Sequence, residues 1–425
     1  MKKKATSSCL LALLLATTAT GFSLGGKTIQ TSAHEGPWPL HVVDNSSSGA
    51  DGVRLADIDG NHLPDLVTGW EEGGITRVYL NPGRDRVHSA WPSVTVGVTP
   101  SVEDAVFFDL DGDGSLEVIT SCEGTVRTMF VHWPPSGRNS LLVGEEWKTE
   151  AIPATRDRGQ WMFAVPAQID GRNGVDLVVG SKGEDGMIGW LEAPSNPRRL
   201  EEWTLHPIYA AGWIMSLIST DLDQDGDPDI LASDRKGSNA GVLWLENPGF
   251  ETADSEWKEH RIGADGREVM FLDFSDTNDD GREDVVVAVK PFTIARILQP
   301  EDPSQAWESE EIAVAFPQGT GRAKAVSVGD LDLDGRLDLV FSCEGAVPPK
   351  HGLIWLAPPS LPDSSEWVAH DISGELGIKY GRIELVDLDG DGDLDILTCE
   401  ENEGEQSQGL GVIWYENPHV SAATE

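Results

Sequence analysis

Basic residues are scarce in this chain: 31 lysines and arginines stand against 72 aspartates and glutamates, a formal net charge of −41. Nucleic acids and anionic membrane surfaces would repel such a protein, so neither is expected as a partner. Cysteine is also rare, and only Cys122, Cys343 and Cys399 follow the amino-terminal segment. An odd number cannot all pair within one chain, so one disulfide and three buried thiols both stay open.

Long hydrophobic runs are missing as well. After the amino terminus no segment is apolar for long enough to span a bilayer as a helix, so membrane insertion is not expected. The stretch from Cys9 to Thr20 is apolar but short, and it follows three lysines, as in a secretory signal. We therefore predict a signal peptide and short linker over residues 1–30, one domain over 34–420 and a tail over 421–425. A secreted location, extracellular or periplasmic, follows from the signal.

One motif recurs along the whole chain. It is an acidic loop of nine residues followed by an apolar run, as in DLDGDGDLDIL from Asp387. Seven copies occur at spacings of 52, 59, 53, 55, 54 and 57 residues, and they begin at Asp57, Asp109, Gln168, Asp221, Asp276, Asp330 and Asp387. These copies are called loops 1 to 7, and the units that contain them are repeats 1 to 7.

Each repeat contains four short apolar runs. Two flank the acidic loop, a third ends in proline as in VLWLENP, and a fourth begins with tryptophan as in WKEHRI. Seven four-stranded units of this period predict an all-β fold, a seven-bladed β-propeller of four-stranded blades. An open solenoid is the alternative, but it would need distinct capping repeats. The chain starts with a Trp38 strand and ends on VIWYENP, so the amino-terminal strand is expected to join the last blade and close the ring.

The acidic loops have the composition of calcium sites. Carboxylates stand at loop positions 1, 3, 5 and 9, and glycine at position 6 allows the sharp bend on which hard oxygen ligands converge. We expect about five structural Ca²⁺ ions, bound by Asp109, Asp111, Asp113 and Glu117 in loop 2, Asp221, Asp223, Asp225 and Asp229 in loop 4, Asp276, Asn278, Asp280 and Asp284 in loop 5, Asp330, Asp332, Asp334 and Asp338 in loop 6, and Asp387, Asp389, Asp391 and Asp395 in loop 7.

Two loops depart from this pattern. Loop 1 has Asn61 and His62 where Asp-Gly is expected, so its metal occupancy is left open. Loop 3 has Gln168 at position 1 and Arg172 at position 5, and no metal is expected there because Arg172 supplies the positive charge itself.

The motifs resemble the FG-GAP/VCBS repeat family, whose calcium-loop propellers are similar to the head of integrin α chains. The resemblance covers about residues 36–418. The WxxH and WLENP elements also resemble, less closely, the propeller of aldos-2-ulose dehydratase and related sugar lyases. The first resemblance implies a calcium-stapled propeller, and the second implies an eliminating action on sugars.

A second aligned position is charged in every repeat. Six residues beyond loop position 9, where the second strand reaches the opposite face, stand Glu71, Glu123, Lys182, Arg235, Lys290, Glu344 and Glu401. Trp161, Trp213 and Lys324 are expected beside this ring. Aromatic planes next to charged hydrogen-bonding groups suit a sugar, so we predict a polysaccharide or oligosaccharide ligand, an anionic one included. Salt bridges between blades are the alternative for the ring.

Whether the chain is an enzyme stays open. His132, Arg127 and Tyr380 are weak candidates for acid–base catalysis. The leading interpretation is a secreted, non-enzymatic binding protein, taken as a monomer. The alternatives are a carbohydrate lyase or dehydratase acting by β-elimination, and a cell-surface adhesion or protein-interaction module.

Overall fold

The computed structural model describes residues 36–313, 319–359, 367–401 and 409–419. The predicted signal peptide and the tail over 421–425 lie outside the described residues. Strands make up 48% of the structure and helices 4%, so the fold is all-β, as predicted. Among the described residues, the structure contains no helix with the length and apolar character needed to cross a membrane.

The strands follow one another with short connections. The first fourteen are β1 (Leu40–Asp44), β2 (Ala50–Ala56), β3 (Asp65–Trp70), β4 (Ile75–Tyr79), β5 (Ser93–Val98), β6 (Val102–Phe108), β7 (Glu117–Cys122), β8 (Met129–Trp133), β9 (Lys148–Ala151), β10 (Gln160–Ala167), β11 (Asp176–Lys182), β12 (Met187–Glu192), β13 (Thr204–Ala210) and β14 (Ile214–Thr220). The others are β15 (Asp229–Asp234), β16 (Gly241–Glu246), β17 (Lys258–Gly263), β18 (Val269–Ser275), β19 (Asp284–Val289), β20 (Thr293–Leu298), β21 (Glu308–Ala313), β22 (Arg322–Gly329), β23 (Asp338–Glu344), β24 (Leu353–Ala357), β25 (Val368–Asp371), β26 (Lys379–Val386), β27 (Asp395–Glu401) and β28 (Gly411–Tyr415). Single turns of 3₁₀ helix occupy Arg138–Ser140, Gly144–Glu146, Pro153–Thr155, Leu200–Glu202 and Phe250–Thr252.

Consecutive strands pair side by side and antiparallel. Strands β2–β5, β6–β9, β10–β13, β14–β17 and β18–β21 form five sheets of four strands each. A further sheet of eight strands contains β22–β25 and β26–β28, which meet at the Glu344–Lys379 pair. Strand β1 lies at the edge of this sheet against β28, with Leu40 opposite Tyr415. The first chain segment is therefore paired with the last one.

Burial explains why each second strand is so apolar. All six residues of β19, DVVVAV, are buried, as are those of β3, β7 and β15. The first strands lie side by side: β2 contacts β6, and the same holds for β6 and β10, β10 and β14, β14 and β18, β18 and β22, β22 and β26, and β26 and β2. The buried second strands are covered on both faces. Strands covered in this way favour continuous hydrophobic runs over alternating apolar and polar residues.

The WxxH motif has a packing role between third and fourth strands. The His260 ring stacks on Trp244 with centroids 4.0 Å apart, and His206 stacks on Trp190 at 4.5 Å. His260 Nε2 also lies 2.6 Å from Glu246 Oε2. The histidine thus holds the outer strand to its neighbour through stacking and a hydrogen bond to a carboxylate.

The strand directions separate two ends of each sheet. The acidic loops join first to second strands at one end, which is called the acidic-loop face. The second strands run away from it and end at the seven predicted charged residues, on the opposite face. The two sites expected from sequence therefore lie at opposite ends of the same strands.

Candidate functional site

Loop position 9 has a structural role beyond any metal. In loop 4, Asp229 accepts the backbone N–H of Leu222 at 3.1 Å and that of Asn247 at 2.8 Å, so one carboxylate joins the loop to the end of the third strand. Loops 1, 3 and 7 repeat this arrangement with Asp65, Asp176 and Asp395. Burial raises the pKa of Asp229 to about 7 and that of Asp395 to about 8. A nearby cation would offset this desolvation of the charged form.

Loop 2 leaves one oxygen of this carboxylate without a partner. The residue that would donate the second N–H is Pro134, which has no amide hydrogen. Among the described residues, the buried Glu117 Oε1 has no hydrogen-bond partner, while Glu117 Oε2 accepts the Leu110 N–H at 2.8 Å. Carboxylate oxygens of Asp109, Asp111 and Glu117 lie within 4.8 Å of one another. An orphaned buried oxygen among hard oxygen donors fits a bound Ca²⁺.

Loop 4 shows how positions 1, 3 and 5 are arranged. Asp221 accepts two loop N–H groups, from Asp225 at 3.0 Å and from Gly226 at 3.1 Å. Asp223 Oδ1 accepts the N–H of Asp225, and Asp225 Oδ1 accepts the N–H of Asp227. Gly226 at position 6 has φ +102°, the left-handed bend that the sequence pattern required.

Loops 1 and 3 both depart from the sequence pattern of the calcium sites, but their structures differ from one another. In loop 1, oxygens of Asp57, Asp59 and Asp65 lie within 4.8 Å of one another although the position 5 aspartate is missing. In loop 3, the Gln168 amide donates to the carbonyl oxygens of Arg172 and Gly174, at 3.1 and 2.6 Å. Loop 1 therefore has the carboxylate grouping of its relatives, and loop 3 replaces it with internal hydrogen bonds.

A cavity of about 240 Å³ lies on the opposite face, where the first strands begin and the second strands finish. This channel-mouth cavity is lined by Asp51, Gly52, Glu71, Glu103, Asp104, Glu123, Met162, Phe163, Lys182, Trp213, Met215, Arg235, Met270, Phe271, Lys324, Glu344, Lys379, Arg382 and Glu401. Six of the seven predicted ring residues belong to this lining, together with Trp213 and Lys324. The structure therefore brings together residues that are hundreds of positions apart in the chain.

Most of the basic ring residues are neutralised by a neighbouring repeat. Lys182 Nζ in repeat 3 lies 2.9 Å from Glu103 Oε1 and also contacts Glu123, both in repeat 2. Lys290 Nζ in repeat 5 lies 2.6 Å from Glu344 Oε1 in repeat 6. The salt-bridge alternative raised by the sequence thus describes these residues.

Three further basic residues near the cavity are also paired. Lys324 and Lys379 both contact Glu401, whose side chain is 2% exposed. Arg235 donates from Nε and Nη2 to Glu268 Oε1, at 2.8 and 2.7 Å. Burial is the largest influence and opposes the charged form of Lys324, but the charges of Glu401 and Asp51 and the hydrogen bond to Glu401 together outweigh it and raise the pKa of this lysine above its ordinary value.

Two carboxylates of the cavity lack a cationic partner. Among the described residues, Asp51 and Glu71 form no ion pair, although oxygens of Asp51, Glu71 and Glu401 lie within 4.8 Å of one another. Burial and the charge on Glu401 hold the pKa of Asp51 well above its usual range. Burial and Asp51 do the same for the pKa of Glu103. The cavity wall formed by repeats 7, 1 and 2 is thus rich in carboxyl groups.

The wall from repeats 3 to 5 has a different character. Phe163 and Phe271 pack edge to face with centroids 5.8 Å apart, and they form an apolar floor with Met162, Met215 and Met270. In the same wall, three cations lie over the ring of Trp213. The distances to the ring centroid are 4.4 Å from Lys182 Nζ, 4.5 Å from Arg235 Cζ and 4.2 Å from Lys236 Nζ. Cation–π contacts therefore already occupy this indole.

Two predicted ligand-binding residues lie outside the cavity lining. Trp161 is completely buried and donates its indole N–H to the Thr155 carbonyl at 2.9 Å, so it offers no surface for a sugar. Lys290 is directed to Glu344 and is almost fully buried. Counting from the loop identified Lys290, and Trp161 was expected because it adjoins a counted position; neither argument contains the direction of the side chain.

None of the three weak catalytic candidates reaches the cavity. His132 is buried between Thr120 Oγ1 at 3.1 Å and Thr149 Oγ1 at 2.9 Å, and burial lowers its pKa to about 4. Tyr380 is buried, and its hydroxyl lies 2.8 Å from that of Tyr415. Arg127 is half-buried in the turn before β8, where its backbone N–H donates to the Glu123 carbonyl at 3.2 Å, but it does not belong to the cavity lining. The structure therefore argues against these three as an acid–base group.

The cysteines are three buried free thiols, which decides between the two alternatives left open by the sequence. Burial raises the pKa of Cys122 to about 12 and raises the pKa of Cys343 and Cys399 as well. A thiol in this environment packs as a small apolar side chain and is a poor nucleophile.

The prediction missed Asp51, although the sequence contained a signal for it. Six positions before the acidic loop stand Glu103, Met162, Met215, Met270 and Lys324, and the same count in repeat 1 gives Asp51. All six line the cavity. Glu268 lies in the connection before β18 and Lys379 is the first residue of β26, and neither stands at the aligned position of its repeat.

Comparison with known proteins gives a fold and nothing further. No family model matches the chain, and no curated protein matches it. Among solved structures, BBS1N in complex with ARL6DN, soaked with lead, is similar with a TM-score of 0.53 and 11% sequence identity. The match covers 91% of this chain and 99% of that one. At this identity the likeness shows the β-propeller fold alone.

Proposed function

We propose that this chain is a secreted, calcium-binding propeller of the FG-GAP/VCBS type that binds a carbohydrate-type ligand in the channel-mouth cavity. For the architecture, we infer seven four-stranded blades closed by the amino-terminal strand. The pairing of β1 with β28 and the contact of β26 with β2 support closure. Secretion is supported by the amino-terminal sequence.

Calcium binding is supported by the oxygens that the loops leave free. Glu117 Oε1 is buried and without a partner among the described residues, beside oxygens of Asp109 and Asp111. A loaded ion would be held by positions 1, 3, 5 and 9 and would neutralise carboxylates that repel one another. Its contribution is to staple a first strand to a second, and no chemical step depends on it.

The carbohydrate proposal rests on one observation: Asp51 and Glu71 are unpaired acceptors in a cavity whose lysines are already neutralised. Because the lysines and arginines of the lining are all ion-paired with described residues, the cavity favours a neutral, hydroxyl-rich ligand over an anionic one. Hydroxyl groups would donate to these carboxylates while an apolar ring face meets the floor. A volume of about 240 Å³ is small for a ligand pocket and suits one terminal sugar unit.

A glycan array probed with the full, calcium-loaded chain tests this proposal, followed by calorimetry with the best ligand. Glu71→Gln should weaken binding about tenfold or more, because it removes a charged acceptor. Glu72→Gln is the matched control, since its side chain is exposed and outside the lining. Absence of binding across a broad array contradicts the proposal, and equal affinity of the Glu71 variant would place the ligand elsewhere.

Elimination on a sugar is the second candidate function. The observation in its favour is that Lys182 lies 2.9 Å from Glu103 in the cavity, and that burial raises the pKa of Glu103 and of Asp51, as suits a carboxyl group that acts as an acid. Absorbance of a new double bond conjugated to a carboxylate or ketone would reveal this reaction on a panel of acidic polysaccharides and oxidised sugars. A flat trace across the panel leaves binding as the function.

A further inference from the structure

The acidic loops differ in which oxygens remain available to a metal. In loop 4, Oδ1 of Asp223 and Oδ1 of Asp225 each accept a backbone N–H, at 3.3 and 3.2 Å. Among the described residues, the Oδ2 atoms of both aspartates have no side-chain cation nearby. These second oxygens are the ones that a cation would take at positions 3 and 5.

In loop 2 the corresponding oxygens are already engaged. Asp111 Oδ1 and Asp113 Oδ1 accept the usual N–H groups, at 3.1 and 2.8 Å. Their Oδ2 atoms both face Arg198, whose Nε contacts Asp111 and whose Nη2 lies 3.3 Å from Asp113. The guanidinium therefore occupies the side of the loop that loop 4 leaves open.

Arg198 belongs to the neighbouring repeat and is held there by packing. It lies in the connection between β12 and β13, and its guanidinium carbon is 4.6 Å from the centroid of the Trp133 ring. Other third-to-fourth strand connections also reach the preceding loop: Arg138 Nη1 donates to the Gly60 carbonyl at 3.4 Å. The fold thus brings each of these connections to an acidic loop, and repeat 3 delivers a cation to two carboxylates.

We propose that Arg198 is a built-in competitor for the divalent cation of loop 2, so that this loop binds metal more weakly than loop 4. The inference rests on the proposed calcium binding. A metal ion entering loop 2 has to displace the guanidinium from Asp111 and Asp113, which couples occupancy of this loop to the contact between repeats 2 and 3. Loops 5 and 6 are intermediate, because Arg282 and Arg336 each engage position 5 alone.

Calorimetric titration of the metal-free full chain with CaCl₂ tests the competition. Arg198→Gln should make one site at least about fivefold tighter, since an ion pair of about 1 kcal/mol no longer opposes the metal. Arg199→Gln is the matched control, because Arg199 is adjacent but pairs with Glu202 at 2.7 Å. The Arg198 side chain is 52% exposed, so its replacement is compatible with folding, and circular dichroism checks this.

A second variant assigns the gain to loop 2. Adding Glu117→Gln to Arg198→Gln should abolish the tightened site, because it removes the position 9 charge of the same loop. If Arg198→Gln titrates like the wild type while the wild type binds Ca²⁺, the competition is refuted and the calcium proposal stands. If the wild type binds no Ca²⁺ at all, the calcium proposal fails and this inference fails with it.

Discussion

The ion pair between Lys324 and Glu401 allows a quantitative test of the channel-mouth network. Glu401 is 2% exposed and Lys324 is 8% exposed, and the two side chains come from repeats 7 and 6. Glu401→Gln keeps the shape of the side chain but leaves a buried ammonium group without its main counter-charge. Removing one partner of a buried pair costs about 3–5 kcal/mol of unfolding free energy.

The structure places the expected cost at or slightly below the lower limit of that range. Asp51 acts on Lys324 as a second negative charge, and losing Glu401 relieves the repulsion on Asp51. We therefore expect Glu401→Gln to lower the free energy of unfolding by about 2–3 kcal/mol. Lys379→Met is the matched comparison, because Lys379 contacts the same carboxylate but is 28% exposed, and its loss should cost no more than about 1 kcal/mol.

Urea unfolding at pH 7 in excess Ca²⁺ measures these differences with the loops held in one state. A double-mutant cycle with Lys324→Met and Glu401→Gln should show a coupling of about 1 kcal/mol or more between the two residues. A Glu401→Gln protein within about 0.5 kcal/mol of the wild type would refute the reasoning, since that is the range of surface substitutions. Additive effects in the cycle would refute it equally.

Three further predictions concern pH, metal and the buried histidine. The pKa values of Asp51 and Glu103 are raised in the folded state, so their stabilising contribution is complete below pH about 4 and is lost as pH rises through the folded pKa; Asp51→Asn should make the urea midpoint fall less steeply as pH rises above about 4, and an unchanged slope contradicts this. Removal of Ca²⁺ by a chelator should lower the thermal midpoint, and Asp229→Asn should reduce the rise on adding Ca²⁺ back; equal midpoints with and without metal speak against structural calcium. His132→Leu should cost about 1–2 kcal/mol in urea unfolding, because two threonine hydroxyls lose their partner, and should leave glycan affinity unchanged; altered affinity would restore His132 as a functional residue.

The periodic features were predictable because they are local. Position 9 of each loop, the left-handed bend at Gly226 and the stacking of His260 on Trp244 depend on residues within one repeat. A motif that recurs at a fixed period therefore predicts these contacts directly. The sequence nevertheless did not reveal the whole role of position 9, because the second N–H that its carboxylate accepts lies at the end of the third strand.

The failures have a common physical cause. Trp161 and His132 were selected by their type and register, but burial on the inner side of a strand removes both from solvent. Lys290 and Lys182 were predicted to contact a ligand, with salt bridges as the alternative, and each lies beside a carboxylate of the adjacent repeat. Contacts between repeats depend on side-chain direction, which a charge pattern along one chain does not contain.

The sequence by itself determined the all-β class, the period of the strands and the two ends at which acidic and charged residues gather, because hydrophobic periodicity and turn chemistry act over a few residues. Only the tertiary structure decided which charges neutralise one another. Asp51 and Glu71 are left as acceptors, and Arg198 reaches the carboxylates of another repeat, because the packing of neighbouring repeats sets distances of 3 to 4 Å that govern electrostatics at this scale.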